Sequence, residues 1–236
     1  MPASEFEQVA FSASLDCRYL LHVPQVVDPT TPALVALHGY ASNPDDILGF
    51  TKMVAGADSV IAAIQAPHQQ YLPQNGSGTL PGPGAKTGYN WGVGVHWKSA
   101  VALHHAMVLR VLESLRSRFG TPANRLILLG FSQPVGLNYR FAATHPDSIG
   151  GVIGICGGIP KDWEEGPYQP VSAPILHISR DEDPFYPVPA VMEFEKRFLL
   201  RATDVEFHLL PGAHRFPSKG GVIIRPWLER VLGGRE

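Results

Sequence analysis

The chain is 236 residues long, with 44% apolar residues, 17% charged residues and a formal net charge of −2. A balance of 19 Lys and Arg against 21 Asp and Glu excludes the strongly basic surface that nucleic acid or an anionic membrane demands. Gly (24) and Pro (22) together approach one residue in five, below the share that marks low-complexity chain, so the sequence is globular and rich in turns.

The opening segment, Met1-Pro-Ala-Ser-Glu-Phe-Glu-Gln, carries acid where a secretory signal has a basic end and an apolar stretch. A cytoplasmic protein is therefore expected, and at this length one domain, 1–236, is the reading. Phe6 to Phe11 and Arg18 to Val23 read as an opening pair of strands, and Ala33 to Leu37 as a buried strand leading into His38-Gly39. A helix follows. Asn43 suits its cap, Pro44 its first position, and Asp45 and Asp46 the positive end of its dipole. Ile47, Phe50 and Val54 form the inward stripe, and Ser59 to Ile64 is the next strand.

From about 66 to 98 the pattern changes. One position in three between Ala66 and Lys98 is Gly or Pro, which predicts a long irregular loop of the kind that usually serves function. Its aromatics, Tyr71, Tyr89, Trp91 and Trp97, predict that it packs on the body of the domain. Ser99 to Phe119 then reads as a helix, with Val101, His105, Val108, Leu112, Leu115 and Phe119 on one face and Gly120 and Pro122 stopping it. The adjacent pair His104-His105 points two ways from that helix with no Cys or acid nearby, so no metal site is expected.

The remaining elements alternate. Arg125 to Gly130 is a strand, Gln133 to His145 a helix, Gly150 to Cys156 a strand, Ile175 to Ser179 a strand, Val188 to Arg201 a helix and Val205 to Leu210 a strand. A closing helix spans Phe216 to Leu232, kinked or interrupted at Pro226. Cys17 and Cys156, both in strand-like apolar surroundings, are expected as buried reduced thiols. The longest uncharged apolar run, Ile149 to Pro160, is Gly-rich and too short to span a bilayer. The alternation predicts an α/β fold, a mostly parallel sheet with helices on both faces.

In such sheets the site lies at the carboxyl ends of the strands. Leu126 to Leu129 runs into Gly130-Phe131-Ser132-Gln133-Pro134, a Ser between strand and helix with Gly two residues earlier. That is the pattern of a nucleophile elbow, whose tight turn exposes the hydroxyl. A Ser alone is a weak nucleophile; it needs a base that an acid orients. Two later exits offer these: Arg180-Asp181-Glu182-Asp183-Pro184 and Pro211-Gly212-Ala213-His214. Among the three acids Asp183 is favoured, because it precedes Pro184 and the Tyr186-Pro187 turn; Asp181 and Glu182 remain rivals. The exit His38-Gly39-Tyr40 would set the Tyr40 N–H beside that of Gln133 to hold an oxyanion.

With these residues in view, the sequence resembles the phospholipase/carboxylesterase branch of the α/β-hydrolase superfamily, which includes acyl-protein thioesterases. Leu37-His-Gly-Tyr40 is similar to its LHG oxyanion turn, Gly130-Phe-Ser-Gln133 to its GFSQ elbow, Asp183-Pro-Phe-Tyr-Pro187 to its DxxxP acid loop, and Gly212-Ala-His214 to its histidine loop. The resemblance runs from Leu34 to the last helix. It implies the α/β-hydrolase fold, Ser132 as nucleophile, His214 as base, Asp183 as orienting acid, a small-molecule ester or thioester as substrate, and no cofactor.

Two departures stand out. Pro134 occupies a position where the family has Gly; it discourages helical geometry at Gln133 but leaves the Gln133 N–H in place. Asn90-Trp91-Gly92-Val93 stands where the family commonly has Trp-Phe-Asp, so Trp91 and Tyr89 are read either as walls of the substrate pocket or as simple loop anchors. A peptidase or lactone hydrolase on the same three residues, or an inactive hydrolase-fold binding protein, are the alternatives. A homodimer is left open, with no face located for it.

Overall fold

The computed structural model describes residues 7, 9–72, 84–92 and 94–233. In chain order the elements are strands β1 (Tyr19–His22) and β2 (Ala33–Leu37), helix α1 (Pro44–Ala55), and strands β3 (Val60–Ile64), β4 (His68–Tyr71) and β5 (Thr87–Asn90). Helix α2 (Trp97–Phe119), strand β6 (Leu126–Phe131), helix α3 (Val135–Thr144) and strands β7 (Gly151–Ile155) and β8 (Ile175–Glu182) follow. The short helices α4 (Val188–Val191) and α5 (Phe194–Phe198), strand β9 (Val205–Ala213) and helix α6 (Gly221–Gly233) close the fold.

Seven strands form one sheet in the order β1-β3-β2-β6-β7-β8-β9. Only β1 runs antiparallel; the other pairings in this sheet are parallel. The central strands are apolar at every position because both faces are covered. Side-chain alternation divides them: Ala33, Val35 and Leu37 face a core shared with α2, α3 and α5, while Leu34 and Ala36 face one shared with α1 and α6. Parallel order puts the exits of β2, β6, β7, β8 and β9 along one edge.

Several elements depart from the sequence reading. Residues 66–98 are not irregular throughout, since β4 and β5 pair antiparallel as a two-stranded ribbon; the segment 73–83 and Val93 lie outside the described residues. Phe6 also lies outside them, and Val9 to Phe11 form no strand, their side chains exposed. Of the stripe expected on α1, Ile47 and Val54 are buried but Phe50 is 41% exposed, because Thr51 takes the inward position and Phe50 turns to stack on Phe216 at 4.9 Å.

The helix expected over 188–201 is broken after Val191. Glu193 N–H bonds the Ala190 carbonyl in a tight three-residue turn, which keeps Val191, Phe194 and Phe198 on the buried side. The closing helix starts at Gly221 and continues through Pro226, held by a stripe of Ile224, Trp227, Leu228 and Val231. Cys156 is buried as expected, but Cys17 is exposed, since the chain reaches the sheet only at Tyr19.

Candidate active site

The turn after β6 is tight for identifiable reasons. Ser132 sits at φ +64°, the left-handed region that costs a side-chain-bearing residue energy. Its N–H bonds the Ile155 carbonyl of β7 at 2.8 Å, and its own carbonyl accepts from Val135 N–H at 3.1 Å, so both sides of the strained residue are pinned. Gly39, on the neighbouring exit, admits this turn: a Cβ there would stand 3.3 Å from Ser132 Cβ and 3.1 Å from the Phe131 ring. At Gly130 a Cβ would meet Asn138 Nδ2 at 2.7 Å, so α3 packs against β6 only because that position is bare.

Pro134 adopts φ −77°, ψ −7° and caps α3, which begins at Val135 rather than at Gln133 as expected. The delay follows from the restriction Pro places on the residue before it. The close packing that the family's Gly serves is found further on, where Gly157 leaves room for the Val135 side chain.

His214 and Asp183 arrive from β9 and β8. The β8–β9 pairing shifts register between Arg180 and Glu182, and Gly212 takes φ +117° on the facing strand. Such irregularities re-aim side chains at a sheet edge. His214 Nδ1 donates to Asp183 Oδ2 at 2.6 Å, and its Nε2 lies 2.9 Å from Ser132 Oγ. A carboxylate only accepts, so the proton sits on Nδ1 and Nε2 is left to accept from the serine hydroxyl. Asp183 is 4% exposed, and its other oxygen accepts from the N–H groups of Phe185 (2.8 Å) and Tyr186 (3.2 Å). Of the rivals, Asp181 accepts instead from Gly212 N–H at 2.7 Å, and Glu182 is exposed. Phe131, Phe185 and Tyr186 surround the His214 ring at centroid distances of 5.3, 4.9 and 6.2 Å.

Neither the Tyr40 nor the Gln133 N–H has a hydrogen-bond partner among the described residues. The sequence reading used only the Gln133 backbone and missed its side chain. The amide accepts from Trp91 N–H at 2.9 Å and donates to the Gly92 carbonyl at 2.7 Å, tying the 91–92 backbone to the elbow. His38 is a second residue missed. Its Nε2 accepts from Ala66 N–H at 3.1 Å, which leaves Nδ1 to donate to the Gly39 carbonyl at 2.8 Å. Burial lowers its pKa, favouring the neutral ring this arrangement requires. No sequence signal distinguishes either role, since each depends on a partner 28 or more residues away.

Trp91 is 2% exposed and its indole N–H bonds the His38 carbonyl at 2.8 Å, so it anchors the loop while one side of it faces the cleft. Tyr89 serves through its backbone: its N–H bonds the Ser42 carbonyl at 2.8 Å and its carbonyl accepts from Ala41 N–H at 2.9 Å. Tyr89 does not line the cleft beside the serine.

That cleft, about 550 Å³, opens on the Gln133 side. Trp91, Trp97, Val101 and Leu137 give it apolar walls. Outside the cleft lining, Cys156 Sγ stands with His214 and Asp183, the one cluster among the described residues that could meet a metal ion. Two of its donors are already bonded to each other, and burial together with the Asp183 charge pushes the thiol up to about 12, so it stands there as a neutral group.

The family model of phospholipases and carboxylesterases matches residues 21–231. No curated protein matches the sequence. Among solved structures, esterase PE8 is similar with a TM-score of 0.70 at 21% identity, covering 93% of this chain and 100% of that one. A carboxylesterase from Mesorhizobium loti gives 0.69 at 18%, covering 96% and 99%. The Bacillus cereus carboxylesterase gives 0.69 at 13%, covering 91% and 94%. At these identities the structures speak for the shared α/β-hydrolase fold, and the family model speaks for the family. The chain belongs to the phospholipase/carboxylesterase family of α/β hydrolases and is an esterase-type hydrolase.

Proposed function

We propose that the protein hydrolyses small carboxylic esters or thioesters through an acyl-enzyme, with Ser132 as nucleophile, His214 as base and Asp183 as orienting acid. One observation carries the reading: the His214 ring bonds Asp183 through Nδ1 and Ser132 through Nε2 at once. Ser132 Oγ attacks the acyl carbon as its proton passes to Nε2. The charge that develops on the acyl oxygen is met by the N–H groups of Tyr40 and Gln133, which hold no other partner among the described residues. His214 then protonates the departing alcohol or thiol. Water, deprotonated by the same nitrogen, attacks the acyl-serine and releases the acid.

The cleft borders Gln133, the neighbour of Ser132 in the chain, while Ser132, His214 and Phe185 are outside its lining; in this reading the acyl group takes the apolar cleft and the leaving group departs past the exposed ring of Phe185. No cofactor enters these steps. Two unpaired thiols, Cys17 and Cys156, support a reducing, cytoplasmic setting. No helix among the described residues is long and apolar enough to cross a membrane.

The test is Ser132→Ala. Turnover of short p-nitrophenyl esters falls by about 10³-fold or more, and a fluorophosphonate probe labels the native protein but not the variant. Unchanged turnover in the folded variant, or labelling at another residue, rejects the assignment.

A further inference from the structure

The cleft that borders Gln133, the neighbour of Ser132 in the chain, has a mixed lining. Trp91, Trp97, Val101 and Leu137 give it apolar walls, and Arg140, Lys161 and Asp162 bring charge to it. Arg140 stands five residues beyond Val135 on α3, so helix rise carries it about 7.5 Å from the start of the helix that follows the serine turn.

These charges are not equivalent. Arg140 is committed: its Nη1 donates to Asp162 Oδ2 at 2.9 Å and to the Tyr168 hydroxyl, its Nη2 forms an ion pair with Asp162 Oδ1 at 2.6 Å, and the guanidinium lies over the Trp97 ring at 4.9 Å. Asp162 is held by this pairing, with its carboxyl kept below the usual range by Arg140 although burial acts against it. Glu164, two residues on, pairs with Arg197. Lys161 has no carboxylate within ion-pair distance among the described residues, yet it lines the same cleft. Arg140 and Asp162 cancel, and the lining of an apolar cleft is left with one positive charge.

We infer that Lys161 is a specificity-determining residue, selecting esters whose acyl chain is apolar along its length and ends in an anionic group such as a carboxylate. The inference rests on the proposed serine chemistry and on the acyl group occupying this cleft. An ammonium at an open cleft mouth is a mobile point charge, suited to a terminal anion of variable reach rather than to one fixed geometry. Being exposed, it discriminates modestly and gives way to salt.

The experiment compares p-nitrophenyl monoesters of α,ω-dicarboxylic acids with p-nitrophenyl esters of monocarboxylic acids of the same length. The quantity read is the ratio of kcat/KM for the two series, which is insensitive to the amount of folded enzyme. At low salt this ratio falls by about five- to tenfold in Lys161→Glu and less in Lys161→Gln, and it is retained in Lys161→Arg. The difference shrinks as sodium chloride is added. Equal ratios in native protein and Lys161→Glu, with turnover still abolished by Ser132→Ala, overturn the inference and leave the serine assignment standing. No turnover of either series by the folded native protein overturns both.

Discussion

Three acids stand within three positions of one another at the exit of β8, and their surroundings separate them. Asp183 is buried, accepts two backbone N–H groups through one oxygen and reaches His214 with the other. Asp181 pins the backbone of Gly212, where a Cβ would collide with the Arg180 guanidinium, so it shapes the histidine loop without touching the ring. The two substitutions should therefore differ in kind. Asp183→Asn presents an amide that can donate to Nδ1, which favours the tautomer with Nε2 protonated and unable to accept from Ser132. Turnover should drop by about 10³- to 10⁴-fold with KM little changed. Asp181→Asn should cost less than tenfold, because its amide oxygen still accepts from Gly212. Steady-state kinetics of both variants on one ester checks this; equal losses would mean that Asp183 has no special relation to His214.

At the scale of elements, the strand exits were legible and the ribbon was not. Ser132 and His214, which the fold brings within 2.9 Å of each other, sit in short motifs whose Gly residues announce tight backbone, so local sequence was enough to single them out. The β4–β5 ribbon has no such signature: His68–Tyr71 alternates poorly and Thr87–Asn90 contains a Gly, and the pair is made by what it docks against. Tyr89 bonds the backbone of Ala41 and Ser42 through both of its main-chain groups, and Asn90 Nδ2 bonds Gln70 Oε1 at 2.8 Å. Phe50 and Cys17 were misread for a related reason, since apolar type and spacing do not say which neighbour arrives. The ribbon docks on the turn that carries Tyr40, with Ala41 at φ +61° between them. Gly88 permits the contact, because a Cβ there would stand 2.4 Å from the Ala41 carbonyl oxygen, far inside van der Waals contact. Gly88→Val should push the ribbon off that turn and lower kcat by about tenfold to a hundredfold while the far-UV circular dichroism of the main sheet persists. Full activity in a folded Gly88→Val protein would show that Tyr40 is positioned without the ribbon.

Across the whole molecule, the parallel order that collects the reactive loops at one edge also buries polar groups between the sheet and its helices. His177, on β8, is fully enclosed: Tyr139 hydroxyl bonds its Nδ1 at 2.6 Å, Ser179 Oγ its Nε2 at 2.9 Å, and Phe207 stacks on the ring at 5.8 Å. His104, on α2, bonds Asn138 at 3.1 Å under the Trp91 ring. Burial pushes both rings down to about 3, from the ordinary 6.5. Between those values the unfolded chain binds protons that the folded protein refuses, so the unfolded state gains as pH falls. The stability carried by the neutral rings is complete above about 6.5 and is lost as the pH drops towards 3, each group contributing up to about 1.4 kcal/mol per pH unit. Urea unfolding at pH 7 and pH 5 should therefore differ by roughly 2 kcal/mol for each of the two histidines. In His177→Gln, which cannot titrate, the protein should be weaker at pH 7 but should lose roughly 2 kcal/mol less on acidification. A midpoint that stays constant from pH 7 to pH 5, or a slope that His177→Gln leaves unaltered, would mean that these rings are reached by water and carry no acid sensitivity.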